Sequence, residues 1–231
     1  MKNYYFLSLF VLLFFQGFGQ EKNNLVSSEH TITRALHLDL NKVYNKETGQ
    51  KMSPEEVEKL LWNNSNLRLE PFFGDDGKVS RFYYYPDASS GEGIFSTETI
   101  EEGKPFPDFS MRTTEGEKVR LKNLKGKLVV LHFALDAMRF RYDELEKLDA
   151  QVNTLVPKGN VKALVVLGSR ESNLAPQFDS ANSNFSLVNE GSGFIEKFGL
   201  RRVPSTIVID GEGKLIGIFK SVDDIDLNSY L

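Results

Sequence analysis

The chain has 231 residues, long enough for one large or two small domains with a core of useful size. Hydrophobic residues make up 40% and charged residues 26%, a globular balance that indicates neither disorder nor a multi-spanning membrane protein. The net charge of -4, with no basic block, argues against nucleic acid, whose binding rests on Lys and Arg neutralising phosphates.

The N-terminus reads as a separate object, residues 1–19. Lys2 supplies a positive start, Tyr4 to Phe15 is apolar apart from Ser8, and Gly17-Phe18-Gly19 offers the small-x-small pattern of a signal-peptidase site. The apolar run is about 12 residues against the roughly 20 of a spanning helix, so a cleavable signal is expected, with Gln20 as first mature residue. An uncleaved anchor is the alternative. After cleavage no stable membrane span is expected, and the destination is the periplasm or the exterior. The chain contains no cysteine, which excludes a lipoprotein and, with it, every disulfide, thiolate nucleophile and thiolate metal site.

Residues 20–93 read as a small α+β module of order β-α-β-β. Ile32, Leu36, Leu38 and Leu40 include a period-two pattern that predicts a strand, and Asn45 to Gln50 a loop. Ser53-Pro54-Glu55-Glu56 predicts a helix start, with Ser as N-cap, Pro at the first helical position and Glu closing a capping box. Val57, Leu60 and Leu61 give that helix its apolar face. Leu67 to Phe73 and Lys78 to Tyr85 bracket Gly74-Asp75-Asp76-Gly77, which is hairpin chemistry. The aromatics from Phe82 to Tyr85 alternate between two faces, as core and surface packing, with a carbohydrate or partner surface as the other reading. Pro86 to Gly93 marks a boundary loop.

Residues 94–231 alternate strands and helices, which predicts an α/β domain with a mixed sheet covered on both faces. Val119 to Leu121 is a short strand. Leu128 to Ala134 and Val161 to Leu167 are continuous apolar runs of buried central strands. Arg139 to Leu155 is predicted helical, with Leu145, Leu148, Val152 and Leu155 on one buried face, and Ser172 to Ala181 is a short helix. Phe185 to Val188 is an edge strand, and Phe194 to Phe198 a short helix closed by Gly199. Thr206 to Ile209 and Lys214 to Phe219 form a hairpin across Asp210-Gly211-Glu212-Gly213.

Gly103-Lys104-Pro105-Phe106-Pro107-Asp108-Phe109, followed by Gly126 to Phe133, resembles the opening of redoxin domains, the TlpA/ResA-like thiol–disulfide oxidoreductases and their AhpC/TSA relatives. Phe198 to Thr206 resembles that family's cis-proline segment, and Ile209 to Lys214 its closing hairpin. The resemblance runs from Gly103 to near Lys220 and implies a thioredoxin-like fold. The departure lies at the chemistry. In ungapped register the two cysteines of the family's C-x-x-C fall on Met138 and Arg141. Dithiol exchange needs one thiolate to attack and a second thiol to resolve the mixed disulfide, and neither Met nor Arg can do so. Thiol catalysis is therefore not expected. A name assigned by similarity would nonetheless be thiol–disulfide oxidoreductase.

The resemblance further implies that Pro204 is cis and that the Val203 backbone faces the start of the following helix. There, with Ala137 and Phe140, it would form a groove that in active relatives takes an extended substrate segment by strand addition. Two readings stand: a retained groove that holds a protein segment, or a proline kept only by the turn. Met138 is either an apolar contact for a partner or filler. Arg139 and Arg141 either form an anion-binding patch or pair with Asp143 and Glu144.

No cofactor or metal is expected. His30, His37 and His132 have no ligand spacing, and His132 sits inside a predicted buried strand. Asp223-Asp224-Ile225-Asp226 lacks the Gly and distal Glu of a calcium loop. Only Ser221 to Leu231 follows the last strand, where relatives carry a longer helix. This leaves open whether part of the sheet is uncovered.

Overall fold

In a computed structural model, residues 38–64, 67, 69–86, 100–136, 141–169 and 182–230 are described. Asp39–Leu231 forms one compact unit, and Leu38 belongs to a second, Met1–Leu38. The expected signal segment, the boundary at residues 93/94 and the helix expected at 172–181 lie outside the described residues.

The first part of the compact unit is a three-stranded sheet of order β1-β3-β2, with a helix between its first two strands. β1 is Val43–Asn45, β2 Leu69–Phe73, β3 Val79–Tyr84 and α1 Pro54–Asn63. β1 runs parallel to β3, with Val43 opposite Phe82, and β2 pairs with β3 antiparallel. The strand expected between Ile32 and Leu40 falls largely outside the described residues, and its described end, residues 38–40, is not strand. Leu40 instead enters a 3₁₀ turn, which Asp39 caps by accepting from the Asn41 N–H. The wholly buried residue that demands a strand is Val43. Asn45, expected in a loop, ends β1, and its side chain accepts from the N–H groups of Glu47 and Thr48 to start the turn. α1 begins as predicted, with Ser53 and Glu56 in a reciprocal capping box. It buries Val57, while Trp62 is 86% exposed.

The second part is a five-stranded sheet of order β10-β9-β6-β7-β8. Its strands are β6 Leu128–Ala134, β7 Val161–Leu167, β8 Phe185–Val188, β9 Ser205–Ile209 and β10 Leu215–Phe219. β6, β7 and β8 are parallel, while β9 is antiparallel to both β6 and β10. A ribbon of β4 Ser110–Arg112 and β5 Lys118–Arg120 precedes them.

The two-residue period of each strand sorts its side chains into two cores. Val129, Leu131, Phe133, Leu164, Val166, Ile207 and Ile209 face one layer, with the ribbon and α3 (Ser192–Lys197). Leu128, Val130, Ala134, Ala163, Val165, Leu167 and Val208 face the other, with α2 (Tyr142–Leu155). This is the mixed, doubly covered sheet of a thioredoxin-like α/β fold.

α2 buries Leu145, Leu148, Val152 and Leu155, the face read from the sequence. It starts at Tyr142, later than expected, because Arg141 is extended (φ -93, ψ 91) and serves as N-cap. α3 stops where Gly199 takes φ 59 and the Leu200 N–H reaches back to the Ile195 carbonyl.

The segment after β10 closes the α2 layer. It forms two 3₁₀ turns whose Val222, Ile225 and Leu227 are buried. Gln151 of α2 holds it, donating to the Ile225 carbonyl and accepting from the Leu227 N–H. The question of an uncovered sheet face is answered there by these turns.

Both edges of the sheet are engaged by returning chain. Gly103 donates to Leu215 O, and Leu215 donates to Lys104 O, at the start of β10. Thr114, from the tip of the ribbon, donates to Leu187 O of β8. Among the described residues no helix is long and apolar enough to cross a membrane.

Candidate functional site

The carboxyl end of β6 and the amino end of β9 are neighbours, since Phe133 lies opposite Ser205. Open α/β sheets place their ligand sites at the carboxyl ends of strands, where the strand order turns. Two sequence-predicted positions, Val203 and Pro204, sit together at this end. The Val203–Pro204 peptide bond is cis, both residues are half-buried, and Val203 packs against the core layer that holds Phe133 and Ile207. Ser205, buried, donates its hydroxyl to the Arg202 carbonyl at 2.6 Å and closes the turn from within.

Arg141 caps α2, the helix that the β6 end leads into. Its guanidinium meets Glu144 at 2.9 Å and Asp143 at 3.8 Å. Glu144 is a buried carboxylate, so Arg141 neutralises it, and the pairing reading holds over a free anion patch for this residue. Ala137, Met138, Arg139 and Phe140 lie outside the described residues. Of the residues expected to form the groove, Val203 and Pro204 are the described ones. Leu135 and Leu200, half-buried against the same core layer, border this end and were not singled out from the sequence.

His132 lies one layer below. It is 1% exposed and faces Thr206 in register, with Nδ1 2.9 Å from the threonine hydroxyl. Burial pushes its imidazole down from 6.5 to about 4, so it is a neutral core residue at neutral pH. This pair gives folding a pH dependence of known sign. The unfolded chain takes up a proton near pH 6.5 and the folded chain does so only near 4, so stability present above 6.5 is lost as pH falls through that window. The loss from this group saturates below 4 at about 3 kcal/mol. Urea unfolding of the native protein and of His132→Gln, near pH 7 and near pH 4, should show the smaller pH effect in the variant. Equal pH effects would remove His132 as the cause.

Two cavities lie away from this end. One of about 220 Å³ is bounded by Phe106, Leu121, Leu124 and the Asp210–Gly213 turn, at the opposite end of β9. The other, about 340 Å³, is polar, with Asp75, Asp76, Lys118, Arg120 and Lys122 in its walls. Among the described residues no three His, Asp or Glu side chains converge as a metal site. With no cysteine anywhere in the chain, thiol chemistry has no nucleophile.

Fold and site together define a thioredoxin-like protein whose dithiol positions carry no sulfur nucleophile. The chain belongs to the AhpC/TSA family, whose model matches residues 103–218, half of its length. It is 31% identical over 135 residues to the thiol-disulfide oxidoreductase ResA of Bacillus cereus, covering 54% of this chain and 73% of the relative. It is 30% identical over 147 residues to the peroxiredoxin Bcp of Bacillus subtilis, covering 54% of this chain and 87% of that protein. Among solved structures, a thiol:disulfide interchange protein from Bacteroides sp. matches with a TM-score of 0.46 at 22% identity, covering 54% of this chain and 85% of the other.

Proposed function

We propose that this chain is an exported, redox-inactive member of its family that holds an extended protein segment in the groove between the start of α2 and the Val203–Pro204 turn. The observation that carries the reading is the pairing of two facts. The Val203–Pro204 turn stands built and anchored at the end of β6, while the composition removes the thiols such a site serves in the ResA-like relatives. A backbone segment at a half-buried turn can still bind a chain by main-chain hydrogen bonds, which need no sulfur. The signal-like residues 1–19 support export to the periplasm or beyond, and the lack of cysteine excludes lipid attachment through a thiol. In this reading residues 20–93 accompany a redoxin domain at 94–231, and no metal, cofactor or nucleic acid takes part.

The test joins two measurements on the mature protein. Insulin reduction and peroxide consumption should both stay at the uncatalysed rate; turnover in either assay overturns the redox-inactive reading. A photo-crosslinking residue at Met138, exposed to native envelope extract, should give a discrete adduct that is lost when Val203 is changed to Asp. Adducts only from probes on α1 or the β2–β3 hairpin would place the binding surface elsewhere and end the groove reading.

A further inference from the structure

The contact between the β2–β3 hairpin and α3 is built with unusual closeness. The hairpin turn runs from Gly74 to Gly77, and Gly77 takes φ 71. The Gly77 carbonyl lies so near Gly193, in the first turn of α3, that a methyl group on Gly193 would overlap it. On the other side, a Cβ on Gly77 would stand 2.8 Å from the Phe194 ring. Both positions demand glycine, one for close approach and one for close approach and a left-handed backbone.

Beside these two glycines lies a buried cation. The Lys197 side chain is 3% exposed, and its ammonium donates to Asp75 Oδ1 at 3.0 Å, to the Asp108 carbonyl at 2.8 Å and to the Gly74 carbonyl at 3.4 Å. The Asp75 carbonyl in turn accepts from the Ser110 N–H at 2.6 Å. One ammonium thus ties the hairpin, α3 and the segment leading into the ribbon. Lysine is rarely this buried, and three oxygen partners in one place are what make it tolerable.

α3 is also the element that delivers the groove wall. Phe198 follows it and packs its ring against Phe106, Phe109, Phe133 and Phe194. Gly199 then ends the helix and releases the chain toward Val203 and Pro204.

We propose that the β2–β3 hairpin is a latch that fixes α3 through Lys197 and the Gly77–Gly193 contact, and thereby sets the position of the Val203–Pro204 wall. The part of this that concerns ligand binding rests on the groove reading above; the mechanical part does not. The hairpin is then a positioning element for the groove, and force or binding on the N-terminal sheet is felt there.

Hydrogen exchange followed by mass spectrometry, on the full mature chain, tests the latch. Gly193→Ala and the milder Asp75→Asn should each speed exchange in β3 and in residues 199–205 by about tenfold or more, with β6 and β7 unchanged. Lys147→Met, which removes an exposed ion pair with Asp223, should leave both regions as they are. Faster exchange in β3 with none at 199–205 would overturn the proposal, as would no change in either region for Asp75→Asn. If Gly193→Ala speeds exchange everywhere, Asp75→Asn decides by the same two outcomes. A linked response of both regions, combined with no crosslink at Met138, would leave the latch standing and remove only the groove reading.

Discussion

Replacing Asp75 by alanine should cost about 3 kcal/mol of folding stability, more than replacing its partner Lys197 by methionine. The order is opposite to what exposure suggests, since the Asp75 side chain is 63% exposed and that of Lys197 only 3%. The reason is what each change leaves behind. Without Asp75, an ammonium stays buried with only the Asp108 and Gly74 carbonyls to hold it, and an uncompensated buried charge is the expensive case. Without Lys197, the Asp75 carboxylate turns to water, the methionine follows the lysine stem, and the loss is mainly the hydrogen bonds to two carbonyls, about 2 kcal/mol. The double variant should then cost little more than Lys197→Met alone, a coupling that urea midpoints in a double-mutant cycle would read directly. A smaller cost for Asp75→Ala than for Lys197→Met would show that the carboxylate does not serve the buried ammonium.

The second large effect is a gain. Met138→Cys combined with Arg141→Cys should turn a protein with no insulin-reducing turnover into one with measurable turnover under a supplied dithiol. Residue 141 is the N-cap of α2, where the positive end of the helix dipole favours a thiolate, so a cysteine there enters a suitable electrostatic setting. Either single variant should form mixed disulfides without turning over, because the resolving thiol is missing. The double variant also loses the Arg141–Glu144 ion pair and strands a buried carboxylate, at a cost of about 1–3 kcal/mol. Adding Glu144→Gln should recover part of that. A folded double variant no faster than the singles would mean that 138 and 141 are not the family's dithiol positions in this chain.

The central architecture was legible because its signals are local. Leu128–Ala134 and Val161–Leu167 are apolar on both faces, and the strands end where the apolar runs end. Ser53-Pro54-Glu55-Glu56 carries its own helix start, and the hairpin turns carry their own glycines and aspartates. β1 was not read from the sequence because a three-residue strand offers little periodicity. The first strand of the ribbon, Ser110–Arg112, was missed for the same reason. At the candidate site, Arg141 met the partners its i+2 and i+3 neighbours suggested, while Ala137, Met138 and Phe140 lie outside the described residues. Lys197 could not be found this way. A lysine in a short amphipathic helix reads as solvated, and its burial depends on a glycine contact with a residue over a hundred positions away. Only tertiary packing brings Gly77 and Gly193 together.

The chain segments that return to the two outer strands of the five-stranded sheet have a consequence for self-association. Gly103 and Lys104 occupy the start of β10, and a β-bulge between Leu215 and Gly217 interrupts its register before the strand's free half begins. Thr114 takes the Leu187 carbonyl of β8. Among the described residues, these contacts and the bulge shorten the row of open donors and acceptors on either side, the row being the template that amyloid-like stacking requires. For a protein without a single disulfide to restrain its unfolded chain, edges shortened in this way reduce the backbone that its sheet offers to another copy.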